Sequence, residues 1–292
     1  MRSRIIDAHL HLYRTPEEGR MAKAAYPIWE YGEYQEVQFS LHAGDKQSAV
    51  WAMDQAGVAR SVVANLLDAV RPGVIPGDDL KALNRWVCEI SALDPRFLPL
   101  IAIDPRYLSV AENVEHLEDM VRHHAARGIK LHPPLQRLDL TERSLWPILD
   151  TCIDLDIAVV CHTGPSRDGS AVGEPDQLRS ALDEFPQLRI AMAHMGGAAW
   201  RQLPAFSRDY PTVFFDLSEI IAWTGAPNAP SQSQLADLIR AVGSERVMMG
   251  SDFPWYDIKD TIDRVLALPG LSATEKDQIL GENAIRFFRL SD

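Results

Sequence analysis

At 292 residues, with 46% hydrophobic and 24% charged side chains, the chain has the composition of a globular protein and can form two small domains or one large α/β barrel. Its formal charge of −12 opposes binding to polyanions, because affinity for nucleic acid comes largely from Lys and Arg. No apolar signal core follows Met1, and no apolar run approaches the roughly twenty residues that cross a bilayer. Three cysteines, Cys88, Cys152 and Cys161, form no close pair and read as reduced packing residues. These features predict a cytoplasmic protein whose partner is a small molecule, with no nucleic acid and no membrane.

Taken in chain order, short β-rich runs fall at residues 4–12, 59–66, 96–104, 128–133, 157–164, 188–196, 212–219 and 246–254. Between them, helical spacing of apolar positions marks residues 44–57, 78–93, 109–127, 142–156, 175–185, 231–242 and 257–268. Alternation of buried-type strands with helices implies a parallel sheet covered by helices, and eight units predict closure into a single-domain (β/α)8 TIM barrel spanning residues 1–292. An open doubly wound sheet would normally carry a Gly-rich turn after its first strand, and none is present. Two stretches break the rhythm, residues 13–42 and 220–230. Both are expected at the C-terminal mouth of the barrel, where substrate loops sit.

Residues able to do chemistry gather at the strand ends. In Asp7-Ala8-His9-Leu10-His11 the two histidines are two apart on a strand and project from one face. Apolar strands also end in Cys161-His162-Thr163-Gly164 and in Ala193-His194-Met195-Gly196-Gly197, while the eighth ends in Gly250-Ser251-Asp252. Taken singly, each histidine reads as a hydrogen-bonded packing residue. Five coordinating side chains at strand ends of one barrel instead point to a site for a divalent ion, which favours imidazole nitrogen and carboxylate oxygen.

These motifs, closed by Ile279-Leu280-Gly281-Glu282-Asn283-Ala284 and an apolar, basic tail, resemble the amidohydrolase superfamily over essentially the whole chain. The similarity is to the amidohydrolase-related branch that includes aminocarboxymuconate semialdehyde decarboxylase and small metal-dependent hydrolases. The resemblance implies one divalent ion, zinc with manganese as the alternative, held by His9, His11, His162 and Asp252. It implies that His194 acts on an attacking water, and Asp252 could shuttle a proton to the leaving group. Dinuclear members of the wider superfamily carry a carbamylated lysine on the fourth strand, where this chain has Lys130. A substrate-anchoring ammonium is the expectation for Lys130 here.

Arg71, Arg106 and Arg167 follow the second, third and fifth strands and suit clamping of a substrate carboxylate, although any one of them taken singly reads rather as a solvated loop charge or as the partner of a neighbouring Asp. Tyr26, Trp29, Tyr31, Tyr34 and Phe39 in the first long loop could lid the site, or pack against the rim or a second copy in a homo-oligomer. The expected activity is hydrolysis of an ester, lactone or amide in a small carboxylated molecule by metal-activated water. Non-oxidative decarboxylation of an unsaturated or aromatic acid is the alternative.

Overall fold

The structure, a computed structural model, describes residues 4–67 and 71–291. Eight strands, β1 (Ile5–Leu10), β2 (Val58–Val63), β3 (Phe97–Ala102), β4 (Gly128–Leu131), β5 (Ala158–His162), β6 (Ile190–Ala193), β7 (Phe214–Asp216) and β8 (Val247–Met248), pair in parallel in sequence order. The seam between β8 and β1 is joined by backbone bonds from Ala8 N–H to Met249 O (2.9 Å), Asp252 N–H to His9 O (2.8 Å) and His11 N–H to Phe253 O (2.7 Å). The expected TIM barrel is therefore what forms.

The helices start and stop where local chemistry requires. The helix α1 (Pro16–Ala25) lies inside the first long loop, where periodicity gave no helix. Thr15 caps it by accepting from Glu18 N–H, and Pro16 occupies its first turn. The next, α2 (Lys46–Ala56), is capped by Asp45 and ends at Gly57, whose φ of 69° is easiest for glycine. After α3 (Pro76–Leu93) comes α4 (Val110–His124), which opens with a reciprocal Ser109–Glu112 capping box. Among the described residues, no helix is long and apolar enough to cross a membrane.

Two strands are shorter than the apolar runs suggest. β7 stops at Asp216 rather than continuing to residue 219, and β8 stops at Met248 rather than near residue 254. Beyond each strand the chain turns through a residue in the left-handed region, Glu219 (φ 64°) or Asp252 (φ 56°), which ends the extended run.

Inside the barrel, Ile6, Ala8, Leu98, Leu100, Ala158, Val160, Ala191 and Ala193 pack with Ala284, Phe287 and Phe288 of the C-terminal helical segment. That segment closes the end where the strands begin. Buried Phe287 lies 4.9 Å, centroid to centroid, from Phe214 at the start of β7. The opposite end is left to polar side chains and the long loops.

Candidate active site

The pairing register of β1 with β2 shifts between Asp7 and Leu10. Such a bulge re-aims side chains, and it lets Ile6 and Ala8 pack in the barrel while His9 and His11 face its mouth. Gly250 permits this approach, since a Cβ there would lie 2.9 Å from His9 Cβ and 3.2 Å from Ser218 Cβ. Asp252 Oδ1 lies 3.1 Å from His11 Nε2 and 3.8 Å from His9 Nε2. Ligands ~2.1 Å from one tetrahedral ion stand ~3.4 Å apart, so this donor set fits a divalent cation. His9, His11 and Asp252 are thus brought together as expected.

Behind them lies a layer that the strand pattern did not reveal. Asp216, at the end of β7, takes His9 Nδ1 on Oδ2 at 3.1 Å and, on Oδ1, the backbone N–H of His194 (3.0 Å), that of Ser218 (3.1 Å) and the Ser218 hydroxyl. A carboxylate on Nδ1 fixes the tautomer that leaves Nε2 free to coordinate. Burial disfavours the charge of Asp216, but His9 and Ser218 outweigh it and hold the carboxyl well below the usual range. Asp252 is likewise held low against burial by His11 and His9. Burial, reinforced by Lys130, pushes His9 down to about 4, which keeps it in the neutral, ligating form. Asp7 accepts from Ser251 N–H (2.9 Å) and hydroxyl (2.6 Å), tying β1 to the Asp252 turn.

His162 at the end of β5 stands apart from the three grouped ligands. Its ring stacks on His132 (3.7 Å between centroids, 7° between planes) and meets His194 edge-on at 4.7 Å. Burial and its histidine neighbours lower the pKa of His162 well below the ordinary value, so it too is neutral. His194 has φ 62° and directs Nδ1 at the Ser218 carbonyl (3.1 Å) and hydroxyl (2.9 Å), leaving Nε2 for the cavity. Lys130 is buried deep in the cluster, with Nζ 3.1 Å from His9 Nε2, and burial lowers its pKa. It therefore lies beside the candidate ligands rather than at the rim.

Over this floor lies an inner cavity of about 100 Å³, walled by Tyr13, Tyr26, Ile28, Leu135 and Trp255 and reached by His11, Lys130, His132, His162, His194, Glu219 and Asp252. An outer cavity of about 400 Å³ shares Tyr26, Ile28, His132, Leu135, His162 and Glu219 with it. The first rhythm-breaking stretch supplies lining residues to both cavities, and the second packs against it. Tyr31 is buried and stacks on Trp223 at 5.2 Å, Phe39 stacks on Tyr256 at 5.8 Å, and Asn228 N–H bonds Tyr31 O. Tyr26 and Trp29 line the outer cavity, whereas Tyr34 bonds Glu36 and the Thr224 carbonyl.

Two acids lining the outer cavity were not foreseen. Glu30 reaches from the first loop to accept from Ala198 N–H at 3.0 Å, against Gly197, where a Cβ would come within 2.1 Å of Oε1. Burial pushes Glu30 up to about 7. Glu219, just past β7, groups with His194 and Asp252, and burial, with Glu30 and Asp252 nearby, raises its pKa well above the usual range. Alternation in Asp216-Leu217-Ser218-Glu219 signals Asp216 and Ser218 on one face and places Glu219 on the other, so it did not reveal this wall.

The three arginines separate. Arg71 is paired with buried Asp79 at 2.6 Å and Arg106 with buried Asp104 at 2.6 Å, so neither is brought to the cavity over the cluster. Arg167 does line the outer cavity.

A family model described as "Amidohydrolase" (amidohydrolase 2) matches residues 6–290. The chain belongs to the amidohydrolase family. No curated protein sequence matches it. Among solved structures, this amidohydrolase is similar to a 2,6-dihydroxybenzoate decarboxylase complexed with 2,6-dihydroxybenzoate, at 19% identity and a TM-score of 0.74, covering 99% of this chain and 100% of that one. It is similar to a dihydroxybenzoic acid decarboxylase from a Polaromonas species with bound manganese and the inhibitor 2-nitroresorcinol, at 18% identity and TM-score 0.72, covering 99% and 97%. It also resembles 4-oxalomesaconate hydratase from Rhodopseudomonas palustris, at 19% identity and TM-score 0.65, covering 98% and 95%. At these identities the likenesses establish the shared barrel.

Proposed function

We propose that this amidohydrolase is a metal-dependent, non-oxidative decarboxylase of a small aromatic or unsaturated carboxylic acid. The observation that carries the reading is the aromatic and aliphatic slot set directly over the ligand cluster, walled by Tyr13, Tyr26, Ile28, Leu135 and Trp255. Such walls favour a flat apolar acid and keep bulk water from the reacting carbon. The decarboxylases of the same fold, one with a dihydroxybenzoate and one with manganese, support it. Hydrolysis, the first expectation from the sequence, is supported only at the level of the family.

His9, His11 and Asp252, with His162 as the fourth proposed ligand, would hold one zinc or manganese ion. When bound, that ion would supply Lewis-acid charge to fix the substrate's carboxylate or an adjacent oxygen. Asp216 keeps His9 oriented for this task. The slot walls fix the ring plane so that the bond from carbon to carboxylate can break with its electron pair remaining on the substrate. Carbon dioxide leaves, and a proton must reach the vacated carbon. Glu219, buried in the cavity wall, is our proposed donor, because burial and the neighbouring Glu30 and Asp252 raise its pKa and favour the protonated carboxyl.

A second reading has its own observation. With Nδ1 engaged by Ser218, His194 presents an acceptor Nε2 that could take a proton from water, as hydrolysis or hydration requires. The test is to incubate manganese- and zinc-loaded protein with hydroxybenzoates, other aromatic acids, lactones and amides while following carbon dioxide. Decarboxylation predicts carbon dioxide equal to substrate consumed. Substrate turnover without carbon dioxide would overturn it in favour of the water-consuming reading.

A further inference from the structure

The outer cavity extends past the reacting end, and its rim carries a charge pattern that the cluster does not use. Arg137, in the short turn after β4, and Arg167, in the loop after β5, both line it. Among the described residues neither guanidinium is held in an ion pair, in contrast to Arg71 and Arg106, which are held by Asp79 and Asp104. Asp168 is the rim's acidic member, but its Oδ1 already accepts from Ser170 N–H (2.9 Å) and hydroxyl (2.7 Å). Deeper in, the wall bears the carboxyl groups of Glu30 and Glu219.

Arg137 shows a second peculiarity. It ends the turn Pro133–Gln136 with φ 55° and ψ 44°, a left-handed conformation that strains any residue with a Cβ and that glycine adopts freely. Backbone geometry alone would favour glycine here, so what arginine adds at this position is its side chain, placed on the cavity rim. The charge of Arg137 also helps to keep Asp168 below its ordinary pKa, after the larger effect of Ser170.

We propose that Arg137, with Arg167, forms a second anion subsite at the outer end of the cavity, so that the substrate is a dianion: a flat apolar acid bearing a second carboxylate or comparable acidic group remote from the reacting one. The inference rests on the reading of the His9–His11–Asp252 cluster as the reacting end. Planar guanidinium groups match carboxylate geometry, and Arg137 and Arg167 bring two of them to the outer cavity, away from the ligand cluster. A cavity of about 400 Å³ has room for an aromatic diacid. Arg137 would then determine specificity without touching the reacting carbon.

The experiment is calorimetric binding of benzoate, isophthalate, terephthalate and 4-carboxycinnamate to manganese-loaded parent, Arg137→Gln, Arg137→Lys and Arg137→Gly proteins, with thermal melts of each. At least one dicarboxylate should bind the parent about 10-fold or more tightly than benzoate, equivalent to about 1.4 kcal/mol. Arg137→Gln and Arg137→Gly should reduce that preference to within about 2-fold, and Arg137→Lys should restore part of it. Arg137→Gly should melt no lower than the parent, because it relieves the strained φ, and this separates a ligand-binding role from a structural one. Dicarboxylates binding the parent no better than benzoate, or a preference that survives in both Arg137→Gln and Arg137→Gly, would overturn the subsite. Because the readout is binding, it is independent of whether carbon dioxide is released. Loss of the subsite leaves the decarboxylase reading standing, and loss of the decarboxylase reading leaves the subsite measurable.

Discussion

Replacing Asp216 by Asn probes the layer behind the candidate ligands with almost no change in shape. Three of the four bonds to Asp216, from His194 N–H, Ser218 N–H and the Ser218 hydroxyl, fall on Oδ1, and an Asn oxygen can accept all three. The fourth, His9 Nδ1 at 3.1 Å, falls on Oδ2, which becomes an NH2 donor. Flipping the amide would forfeit the other three bonds, so the conflict lands on His9. An Nδ1–H on His9 then keeps only the Ser218 hydroxyl oxygen, 3.1 Å away, as acceptor and meets an NH2 donor, which shifts the ring toward the tautomer protonated on Nε2, the atom that faces Asp252 and would coordinate the ion. Losing one buried charge-assisted bond of about 1.5–3 kcal/mol in this way should weaken metal binding about 10–100-fold. Competition with a chelator of known affinity, followed by metal analysis, measures this directly. Parent-like affinity in Asp216→Asn would refute the argument that Asp216 sets the His9 tautomer.

Three further outcomes are expected. His162→Ala should lower metal content about 10-fold or more after dialysis if His162 completes the ligand set, and equal content in variant and parent would remove it from that set. His194→Asn should retain most of the metal yet lose about 100-fold or more in turnover, and metal loss as complete as in His162→Ala would make it a ligand instead. Glu30, raised from 4.5 to about 7 by burial, contributes stability that is complete below pH 4.5 and lost as pH rises through 7. By linkage this loss is about 3 kcal/mol, so Glu30→Gln should gain stability relative to the parent between pH 5 and pH 8 in urea unfolding; parallel pH dependences would contradict the assignment.

Much of the barrel was legible because its physics is local. Eight strand-like runs alternate with seven helical ones, and His9, His11, His162, His194 and Asp252 stand at strand ends where packing alone gives no reason for polar groups. What stayed hidden depends on the path of irregular backbone. Glu30 meets Ala198 across 168 residues through a loop with no periodicity, and Glu219 faces the cavity only because its backbone turns left-handed after β7. Asp216 was hidden differently, inside a run read for its apolar residues, although Asp216 and Ser218 share one face. Arg71 and Arg106 show the reverse limit: a cation after a strand suggested a clamp, but Asp79 and Asp104 lie close enough in sequence to capture them first.

The central claim is tested most directly by turning over the best substrate in deuterium oxide and, in parallel, in oxygen-18 water, with carbon dioxide quantified alongside. Decarboxylation predicts one carbon dioxide per substrate consumed, one solvent deuterium on the carbon that lost the carboxylate, and no heavy oxygen in the organic product. Heavy oxygen in a new carboxylate or hydroxyl, with the carbon count intact and no carbon dioxide, would contradict it.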